Sequence, residues 1–565
     1  MRTISYAALL AGSVFLAPGA WAACSGDNAG ITLPPGFCAT VFADHLGHPR
    51  HLAVAPDGVV YANTWSGTYY HNDTPPPGGM LVAMQDTKGT GQADQVVRFG
   101  PGLPQDHGGT GVAIYNGYVY AEMNDKIVRY KLPASGIAPS GEAETVLSGM
   151  PITGDHPMHP FAIDAKGDIY VDMGSATNSC QPQNRVPDVP GNSPCTEKET
   201  RAGTWLYDAN KLDQKFSPAE RFISGLRNGE GISFDSAGRI FATQHGRDQL
   251  YENWSKYYPQ QIMGAENPAE ELVMETKGAD FGWPECYYDY KQKKLVLAPE
   301  YGGDGGKKVG VCAQRTAPVA AFPGHWAPND MQIYLGSAFP SAYKDGAFIA
   351  FHGSWNRAPL PQGGYNVVFQ PLKDGKADGH FVVFADGFAA GYKEPGRAAH
   401  RPTGIAFAPD GAMYIADDQG GRIYRVTYSG SKTVAVAAAP APAVVASTSG
   451  NGTPPEGMNP DAGLPVPPGG SPDQVAQGGA VYRRGACAGC HGSDGKGSAI
   501  GADLTSGHYL WGNGSVAAIQ KTIQFGVPKP KEHTGAMPPE GGIKLTQADL
   551  AAVSQYVWAL GHQGK

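Results

Sequence analysis

The amino-acid sequence predicts a mainly β fold, a six-bladed β-propeller, followed by a small all-α domain. Three observations support this fold class: a hairpin phrase that recurs along most of the chain, a Pro/Ala/Gly-rich break after it, and helical periodicity near the C-terminus. The 565 residues include 78 glycines and 47 prolines, whereas charged residues make up only 17%. This composition favours many turns and short strands over a coiled coil or a helical bundle.

Each copy of the hairpin phrase has an apolar stretch, a tight turn that ends in glycine, and a second apolar stretch with Tyr or Phe two or three residues after that glycine. Apolar alternation on both sides of a tight turn is typical of a β-hairpin, and repeats of this size predict propeller blades. Six copies favour six blades within a range of five to seven, with long insertions before the last copy; a β-sandwich array is the alternative. The copies are Gly58/Tyr61, Gly117/Tyr120, Gly167/Tyr170, Gly238/Phe241, Gly411/Tyr414 and a degenerate one at Asp345-Gly346-Ala347-Phe348.

The chain divides into four predicted segments. Its N-terminus has Arg2, an apolar core and a small-x-small sequence that ends at Ala22, which are the features of a secretory signal peptide; a short buried helix is the alternative. Removal of such a signal implies export, so we expect a periplasmic protein. The segments are the signal peptide 1–22, the propeller 23–428, a Pro/Ala/Gly-rich linker 429–471 without residues to build a core, and the small domain 472–565.

Charge and cysteine usage narrow the classes of partner. The formal net charge of −8 offers no basic surface for nucleic acid. Beyond the N-terminus no apolar run reaches the roughly 18 residues of a membrane span, so none is predicted. Six of the eight cysteines fall as close pairs, which favour disulfides in an exported protein. The expected pairs are Cys24/Cys38, Cys180/Cys195 and Cys286/Cys312.

The remaining two cysteines lie in Cys487-Ala-Gly-Cys490-His491, the C-x-x-C-H pattern of covalent haem attachment. This spacing holds both thiols on one turn for the haem vinyl groups, and the histidine that follows offers an imidazole to the iron. Met537 is the one methionine after the motif and is the predicted sixth ligand. Three histidines compete with it for that position: His508, His533 and His562.

Helical spacing supports a small domain around this motif. Residues 473–486 predict a leading helix, in which Gly478-Gly479 either weakens the helix or lets another helix pack close. A closing amphipathic helix is predicted over residues 545–561, with Thr546-x-x-Asp549 as a capping box variant. Residues 471–565 resemble class I cytochrome c, which implies one covalent haem c and one-electron transfer.

Polar residues of the large segment cluster in short phrases near the ends of predicted strands. No G-x-G-x-x-G motif indicates a Rossmann dinucleotide site, and no Cys/His cluster indicates a metal centre. We therefore expect a non-covalent organic cofactor on an axial face of the propeller, where arginine and imidazole groups suit a carboxylate-rich molecule. The phrases begin at His48, Gln105, His156, Gly225, Gln244, His352 and His400. The predicted cofactor-binding residues are Arg50, His51, Asn228, His245, His352, Asn356, Arg357 and Arg401.

These phrases resemble the glucose/sorbosone dehydrogenase family, six-bladed propellers that use pyrroloquinoline quinone (PQQ), over residues 30–428. Two of the phrases, His352-Gly-Ser-Trp-Asn-Arg357 and Arg401-Pro-Thr-Gly404, are closer to the sorbosone and pyranose branch than to the glucose branch. The other motifs that carry the resemblance are His156 with Gly174, Gly225-Leu-Arg227-Asn228, His245-Gly246-Arg247-Asp248 and Gly278–Pro284.

The resemblance implies roles for individual residues. His156 is the general base, with His159 as a rival, and Arg227 polarises the quinone carbonyl. Asn228 hydrogen-bonds the cofactor, whereas Arg357 and Arg401 clamp its carboxylates.

The backbone carbonyls of Gly246 and Arg247 match the family's calcium-binding positions. Arg247 stands where the glucose branch has proline, and Ser175 where it has an acid. The orienting partner of His156 is therefore open, with Asp172 and Asp155 as candidates.

The predicted function is that of a periplasmic quinohaemoprotein. It would oxidise a sugar, an aldose, pyranose or sorbosone-like aldehyde, by hydride transfer to PQQ, with Ca²⁺ as an additional cofactor. Electrons would pass to the fused haem and then to a soluble cytochrome, a copper protein or a quinone-linked oxidase. A calcium-dependent propeller lactonase and a non-catalytic docking module for electron transfer are the alternatives. The sequence carries no code for the particular sugar.

Overall fold

The computed structural model describes residues 24, 26–64, 77–102, 108–358, 360–394, 398–440, 461, 463–485, 487–492, 494–497, 501–533 and 535–563. The predicted signal peptide 1–22 and the phrase Gln105–His107 lie outside these residues. No helix of the described part of the chain has the length and apolar character needed to cross a bilayer.

Six antiparallel sheets form the blades, which confirms the predicted propeller. Blade 1 contains β2 Pro49–Val54, β3 Val60–Thr64, β4 Leu81–Gln85 and β5 Gln95–Phe99. Blade 2 contains β6 Val112–Tyr115, β7 Tyr118–Met123, β8 Lys126–Lys131 and β9 Glu144–Ser148, and the short β13 Gln214–Lys215 pairs in parallel with β9. Blade 3 contains β10 Phe161–Ile163, β11 Asp168–Met173, β12 Gly203–Asp208 and β14 Arg221–Ser224.

The other three blades follow the same order. Blade 4 contains β15 Ile232–Phe234, β16 Ile240–Gln244, β17 Glu270–Glu275 and β20 Ala320–Phe322. Blade 5 contains β21 Pro328–Ile333, β22 Ala347–Phe351, β23 Asn366–Gln370 and β26 Val382–Ala385. Blade 6 contains β27 Pro402–Phe407, β28 Met413–Asp417, β29 Arg422–Tyr428 and, as its outer strand, the N-terminal β1 Phe37–Ala43. Two hairpins lie outside the blades: β18 Cys286–Asp289 with β19 Lys294–Leu297, and β24 Leu372–Lys373 with β25 Lys376–Ala377.

The first strand of each blade contacts the first strand of the next, in the order β2, β6, β10, β15, β21, β27 and back to β2. These strands therefore surround the central axis. The ring is closed by β1, which pairs antiparallel with β29 from Phe37 opposite Tyr428 to Ala43 opposite Ile423. The two ends of the propeller segment are thus held in one sheet.

The repeated phrase is the hairpin between the first and second strands of each blade. Gly58, for example, has a φ of 86°, a left-handed conformation that glycine adopts without steric cost. In the degenerate copy Asp345 takes this conformation instead, with a φ of 58°. The aromatic residue of the phrase fills the space between blades: Tyr61 packs with Val119 and Ala121 of blade 2.

Loops inserted between the strands carry two of the three disulfides. All three expected pairs form, Cys24–Cys38, Cys180–Cys195 and Cys286–Cys312. The insertion between β16 and β17 carries two short helices, α1 Leu250–Asn253 and α2 Gln261–Glu266. The chain also has short 3₁₀ helices at Asn28–Gly30, Thr196–Glu199, Pro218–Glu220, Pro299–Tyr301, Gly310–Gln314, Ser341–Tyr343 and Pro539–Gly542.

The C-terminal domain is helical, as predicted. Its leading helix packs on its closing helix, and a Cβ on Gly478 would overlap the Ala552 carbonyl, so the glycine permits close packing. Thr546 caps the closing helix, since its hydroxyl accepts the Asp549 N–H at 3.1 Å. The helices are α3 Pro472–Arg484, α4 Cys487–His491, α5 Val516–Phe525 and α6 Gln547–Leu560.

The first part of the predicted linker packs on the propeller. The Ser429 N–H donates to the Gly36 carbonyl at 2.8 Å, and the Ala439 N–H donates to the Val383 carbonyl at 2.8 Å. Val436 contacts the apolar core between blades 5 and 6. The first residues of the predicted linker therefore lie on the blade surface, held by backbone hydrogen bonds and by Val436.

Candidate functional site

The polar phrases meet at one end of the propeller. In each blade the first strand begins, and the second strand ends, on the same face because the two strands are antiparallel. Arg50 lies at the start of β2, Arg227 precedes β15, and His352 follows β22. Their side chains line a cavity on the propeller axis. The predicted residues that line it are Arg50, His156, Arg227, Asn228, His245, Gly246, His352, Asn356 and Arg401.

His156 is held as a neutral base at this cavity. Its Nδ1 lies 2.7 Å from the Ser175 carbonyl oxygen and 3.1 Å from the Ser175 hydroxyl oxygen, and that hydroxyl donates to the Thr177 carbonyl. Both neighbours of Nδ1 are therefore acceptors, so Nδ1 carries the proton and Nε2 keeps its lone pair. Burial, followed by the positive charge of Arg227, holds the pKa of His156 well below its ordinary value.

The Ser175 carbonyl thus occupies the place that the sequence left open for an orienting partner. The two candidate acids have other surroundings: Asp155 accepts hydrogen bonds from Arg185, and burial, together with the nearby Glu275, raises the pKa of Asp172 well above its ordinary value. The rival base His159 is fully buried outside the cavity. Its Nδ1 lies 3.2 Å from Glu122 and its Nε2 lies 2.9 Å from the Pro151 carbonyl.

Two buried carboxylates organise the cationic groups of the cavity. Asp248 accepts hydrogen bonds from Arg227 at 3.1 Å, from Arg185 at 3.0 Å and from Asn356 at 2.7 Å. The two guanidinium groups lower the pKa of Asp248 although burial opposes them. This carboxylate therefore stays ionised and keeps three cavity side chains in place.

Asp418 has the same role on the opposite side of the cavity. It accepts from Arg50 at 2.7 Å and contacts Nε2 of His352 at 2.8 Å. Arg401 reaches the same region and donates to the backbone carbonyls of His352 and Gly353. Its positive charge therefore faces the cavity while its N–H groups are bound by neutral oxygens.

Sequence reasoning missed the residues that organise the cavity. Asp248 lies in a phrase to which no role was assigned for this residue, and the acid pair Asp417-Asp418 at the end of β28 is a readable signal for Asp418. His325 also lines the cavity, 3.8 Å from Asp248, and Arg185 lies in a loop without any recognisable motif. These residues are recognised because they lie close to another charged group inside the protein, and that proximity cannot be read from the sequence.

Three predicted site residues do not line the cavity. The Arg357 guanidinium donates to the backbone carbonyls of Ala265, Gly324 and Pro361. The His51 ring also meets a backbone carbonyl, with Nε2 3.0 Å from the Asn329 oxygen. The Arg247 side chain pairs with the buried Glu300 at 2.5 Å. The calcium prediction for Arg247 concerned its backbone carbonyl and stays a prediction.

The donor atoms at the predicted calcium position do not by themselves fit a dication. The Gly246 carbonyl already accepts from the Arg227 guanidinium at 3.0 Å, and a cation on that oxygen would meet a like charge. Within the described ranges, no group of three or more His, Cys, Asp or Glu side chains is placed to hold a metal ion.

The cavity does fit a polyanionic organic molecule. Arg50, Arg227 and Arg401 converge on it, and imidazoles lie between them. Asn228 adds an unused hydrogen-bonding group, because its buried Oδ1 has no hydrogen-bond partner among the described residues. An amide acceptor of this kind is costly to bury unless a ligand donor meets it.

A second, apolar cavity lies in the C-terminal domain. Its lining includes Cys487 and Cys490, which form no disulfide, together with His491 and Met537. Nδ1 of His491 lies 2.8 Å from the Ala502 carbonyl, which leaves Nε2 free to ligate iron. Burial raises the pKa of Cys487 to about 12. This donor set fits a covalently attached haem.

The sixth-ligand candidates differ in position. Met537 is fixed by two backbone hydrogen bonds with Val527, at 2.7 and 3.0 Å, and lines the cavity. His508 and His533 line it as well. His562 does not: its ring stacks on Trp558 at 3.8 Å, and its Nδ1 contacts the Trp558 carbonyl.

Comparisons with known proteins match the propeller and the C-terminal domain separately. A family model described as TrAA12-like matches residues 31–429, and one described as cytochrome c oxidase, cbb3-type, subunit III matches residues 473–557. The PQQ-dependent pyranose dehydrogenase of Coprinopsis cinerea is 27% identical over 263 residues, 40% of this chain and 34% of that protein. The alignment thus spans about a third of that relative's length. The FixP subunit of the cbb3-type cytochrome c oxidase of Azorhizobium caulinodans is 40% identical over 76 residues, 13% of this chain and 25% of that protein.

Solved structures share the propeller fold. The iodide structure of the Trichoderma reesei family AA12 enzyme has a TM-score of 0.55 at 18% identity and covers 71% of this chain and 98% of its own. The holo form of the pyranose dehydrogenase PQQ domain from C. cinerea has a TM-score of 0.52 at 20% identity, with coverages of 70% and 97%. Since the first family model matches well over half of the residues, the chain belongs to the TrAA12-like family and carries a cytochrome c domain behind its propeller.

Proposed function

We propose that this protein is a PQQ-dependent sugar dehydrogenase of the periplasm that passes its electrons to its own haem c. The observation that carries the proposal is a neutral, oriented imidazole, His156, in a cavity of converging guanidinium groups. The name of the C. cinerea relative indicates PQQ as cofactor and a pyranose as substrate. We extend both to this chain, with aldoses and sorbosone-like aldehydes as the wider substrate class.

The cationic groups on the Asp418 side of the cavity would hold the cofactor. PQQ carries three carboxylates, and when bound it supplies an acceptor for the two electrons of a hydride. Arg50 and Arg401 would bind its carboxylates, and His352 would add a hydrogen bond. Asp418 keeps Arg50 and His352 in place, so this side of the cavity is organised before a ligand enters.

His156 would remove the proton from the hydroxyl group of the substrate at Nε2. The C–H bond of the same carbon breaks with its electron pair, a C=O bond forms, and the proton remains on the imidazole. The Ser175 carbonyl stabilises the protonated ring through Nδ1–H. Arg227 lies close enough to depress the pKa of His156 and would stabilise negative charge that develops on oxygen.

The apolar cavity would hold one haem. Cys487 and Cys490 would form the thioether bonds, His491 the proximal bond and Met537 the distal one; haem supplies a one-electron acceptor. Two successive one-electron transfers are then required for each sugar. Substitution of Met537 by Leu should lower the haem potential, whereas His508→Leu and His533→Leu should leave it unchanged if methionine is the ligand.

Export agrees with the chemistry of the chain. Three disulfides are typical of an oxidising compartment, and covalent haem needs free thiols only at the attachment motif. The predicted N-terminal signal peptide also supports export. An external electron acceptor, a small redox protein or a quinone-linked oxidase, would reoxidise the haem.

The test is reconstitution of the haem-containing protein with PQQ, with and without Ca²⁺, followed by a panel of aldoses, ketoses, sugar alcohols and aldehydes. We expect one sugar class to reduce the haem, as seen in its α-band, and to reduce an artificial dye. Omission of PQQ should abolish both signals. Ferric haem and an unreduced dye with every compound would overturn the proposal, and lactone hydrolysis without PQQ would favour the lactonase alternative.

A further inference from the structure

The two cavities meet at a single wall. Arg185, Trp355 and Asn356 line both the cavity on the propeller axis and the apolar cavity of the C-terminal domain. From the other side, Ala488 and Gly489 also line the axial cavity. The peptide between the two haem-attaching cysteines therefore covers the site in which we place the sugar and PQQ.

The contact at the centre of this wall leaves no space for a side chain. A Cβ on Gly489 would overlap the indole of Trp355, at Nε1 and at two ring carbons. All three atoms belong to a rigid ring and not to the end of a flexible chain, so the overlap cannot be relieved by a small rotation. Glycine at position 489 thus lets the haem-binding turn lie directly on Trp355.

The propeller holds its side of the wall firmly. The Asn356 amide donates to Asp248 at 2.7 Å, and Arg185 donates to Asp248 at 3.0 Å and to Asp155 at 2.9 Å. The Trp355 carbonyl accepts the Ala358 N–H at 3.0 Å, which closes the loop after β22. Asp248 therefore holds both Arg185 and Asn356 in the wall, and the same carboxylate binds Arg227.

Contacts around the rim support the same arrangement. The Gln183 amide donates to the Pro528 carbonyl at 2.8 Å. A Cβ on Gly542 would lie 2.9 Å from Cγ of Glu252 in α1, so a second glycine of the C-terminal domain lies against the propeller. Two loop insertions and the Trp355 loop thus contact the cytochrome domain at separate points.

We propose that Gly489 and Trp355 form the docking contact that places the haem-binding turn on the propeller, and that Trp355 is the positioning residue for electron transfer between the domains. This inference rests on the proposed function for its electron-transfer part. A flexible linker alone would supply only a high effective concentration of haem, whereas a docked turn fixes one geometry. A shift of about 1 Å at a reacting centre can cost about a hundredfold in rate.

The experiment uses the full haem-containing chain and the variants Gly489→Ala, Trp355→Ala and the double variant. Small-angle X-ray scattering without PQQ or sugar measures docking independently of activity. We expect Gly489→Ala to increase the radius of gyration and, with PQQ and sugar, to lower the ratio of haem reduction to dye reduction by about tenfold or more. Removal of the indole also removes the overlap, so the double variant should be no more expanded, and no slower in haem reduction, than Trp355→Ala alone.

Two controls make the result specific. Gly141→Ala adds a methyl where no atom lies within 4 Å, so scattering and both reduction rates should match the unsubstituted protein. Mass spectrometry establishes that each variant carries covalent haem. If Gly489→Ala loses haem, Trp355→Ala, which leaves the attachment motif intact, should still expand the molecule.

Three outcomes would overturn the inference: a Gly489→Ala protein with unchanged scattering and unchanged haem reduction, a double variant that is more expanded or slower in haem reduction than Trp355→Ala, or a Trp355→Ala protein with unchanged scattering. Failure of the proposed function is distinguishable from these. In that case the unsubstituted protein reduces neither dye nor haem with any sugar, while the scattering difference between it and Gly489→Ala persists.

Discussion

The two cavities of this protein differ in what stabilises them. The axial cavity of the propeller is charged, and its guanidinium groups are held by the buried carboxylates Asp248 and Asp418. The cavity of the C-terminal domain is largely apolar, with Ile519, Val553 and Val557 among its walls. A buried charge is stable only with a partner, whereas an apolar wall needs only a matching shape.

This difference explains how each site is encoded. The haem attachment residues lie within five consecutive positions, Cys487 to His491, so a short motif reveals them. The axial cavity takes its lining from loops of blades that lie far apart in the chain. The axial cavity therefore forms only when the ring closes, and no single one of its residues identifies the site. The following substitutions test this contrast, from the largest expected effect to the smallest.

Substitution of His156 by Gln should have the largest effect. Loss of a general base lowers turnover by about 10²–10⁴-fold, and we expect dye reduction by sugar to fall within this range. The haem spectrum should not change, because His156 does not line the haem cavity. The matched control is His380→Gln, which alters an exposed imidazole and should leave turnover intact. Comparable turnover in both variants would contradict the role of His156.

Substitution of Asp418 by Asn should destabilise the propeller strongly. It leaves the buried Arg50 without its 2.7 Å ion pair, and breaking such pairs costs about 3–5 kcal/mol. Urea unfolding of the cofactor-free protein measures the loss in the free energy of unfolding. The control Asp410→Asn breaks the surface pair with Arg425, at 2.6 Å, and should cost less than about 1 kcal/mol. Equal losses in the free energy of unfolding would show that the buried pair stabilises the protein no more than the surface pair does.

The pH profile tests the state of His156. Its pKa lies well below the ordinary value, so the neutral base persists as the pH falls through 6.5. We expect the acid limb of kcat/KM to lie below pH 6.5. At pH 5.5, an imidazole with the ordinary pKa of about 6.5 would lose activity about tenfold, and this enzyme should lose less. An acid limb at or above pH 6.5 would contradict the structure of the site.

Substitution of Thr546 by Ala should have a small effect confined to the C-terminal domain. The hydroxyl caps α6, and loss of such a cap costs about 1 kcal/mol. Thermal unfolding followed at the haem band should shift downward, while sugar-dependent dye reduction should remain unchanged. The restoring variant Thr546→Ser keeps the capping oxygen and should retain stability. A loss of dye reduction in Thr546→Ala would indicate that the two regions are not independent.

Much of the fold could be predicted because its signals are local. Turn glycines such as Gly58 and the aromatic residues that follow them mark one hairpin per blade, and their number gave the number of blades. The capping box at Thr546 and Asp549 marked the start of α6 for the same reason. Hydrogen-bonding rules over a few residues determine such features.

The site could be predicted only in part, because its decisive contacts join distant residues. The Ser175 carbonyl orients His156 through the backbone, and no side-chain pattern can indicate that contact. Arg357 looked equivalent to Arg401 in sequence, yet local carbonyls bind it outside the cavity. The docking of Gly489 on Trp355 involves two phrases that carry no mutual signal in the sequence.

The pairing of β1 with β29 also determines when the ring can form. During synthesis β1 is among the first strands to emerge, but its partner ends at Tyr428. Blade 6 must therefore wait for nearly the whole propeller, and until then β1 is an unpaired edge that other chains could capture. The Cys24–Cys38 disulfide lies at the start of this strand and links it to the segment that precedes it.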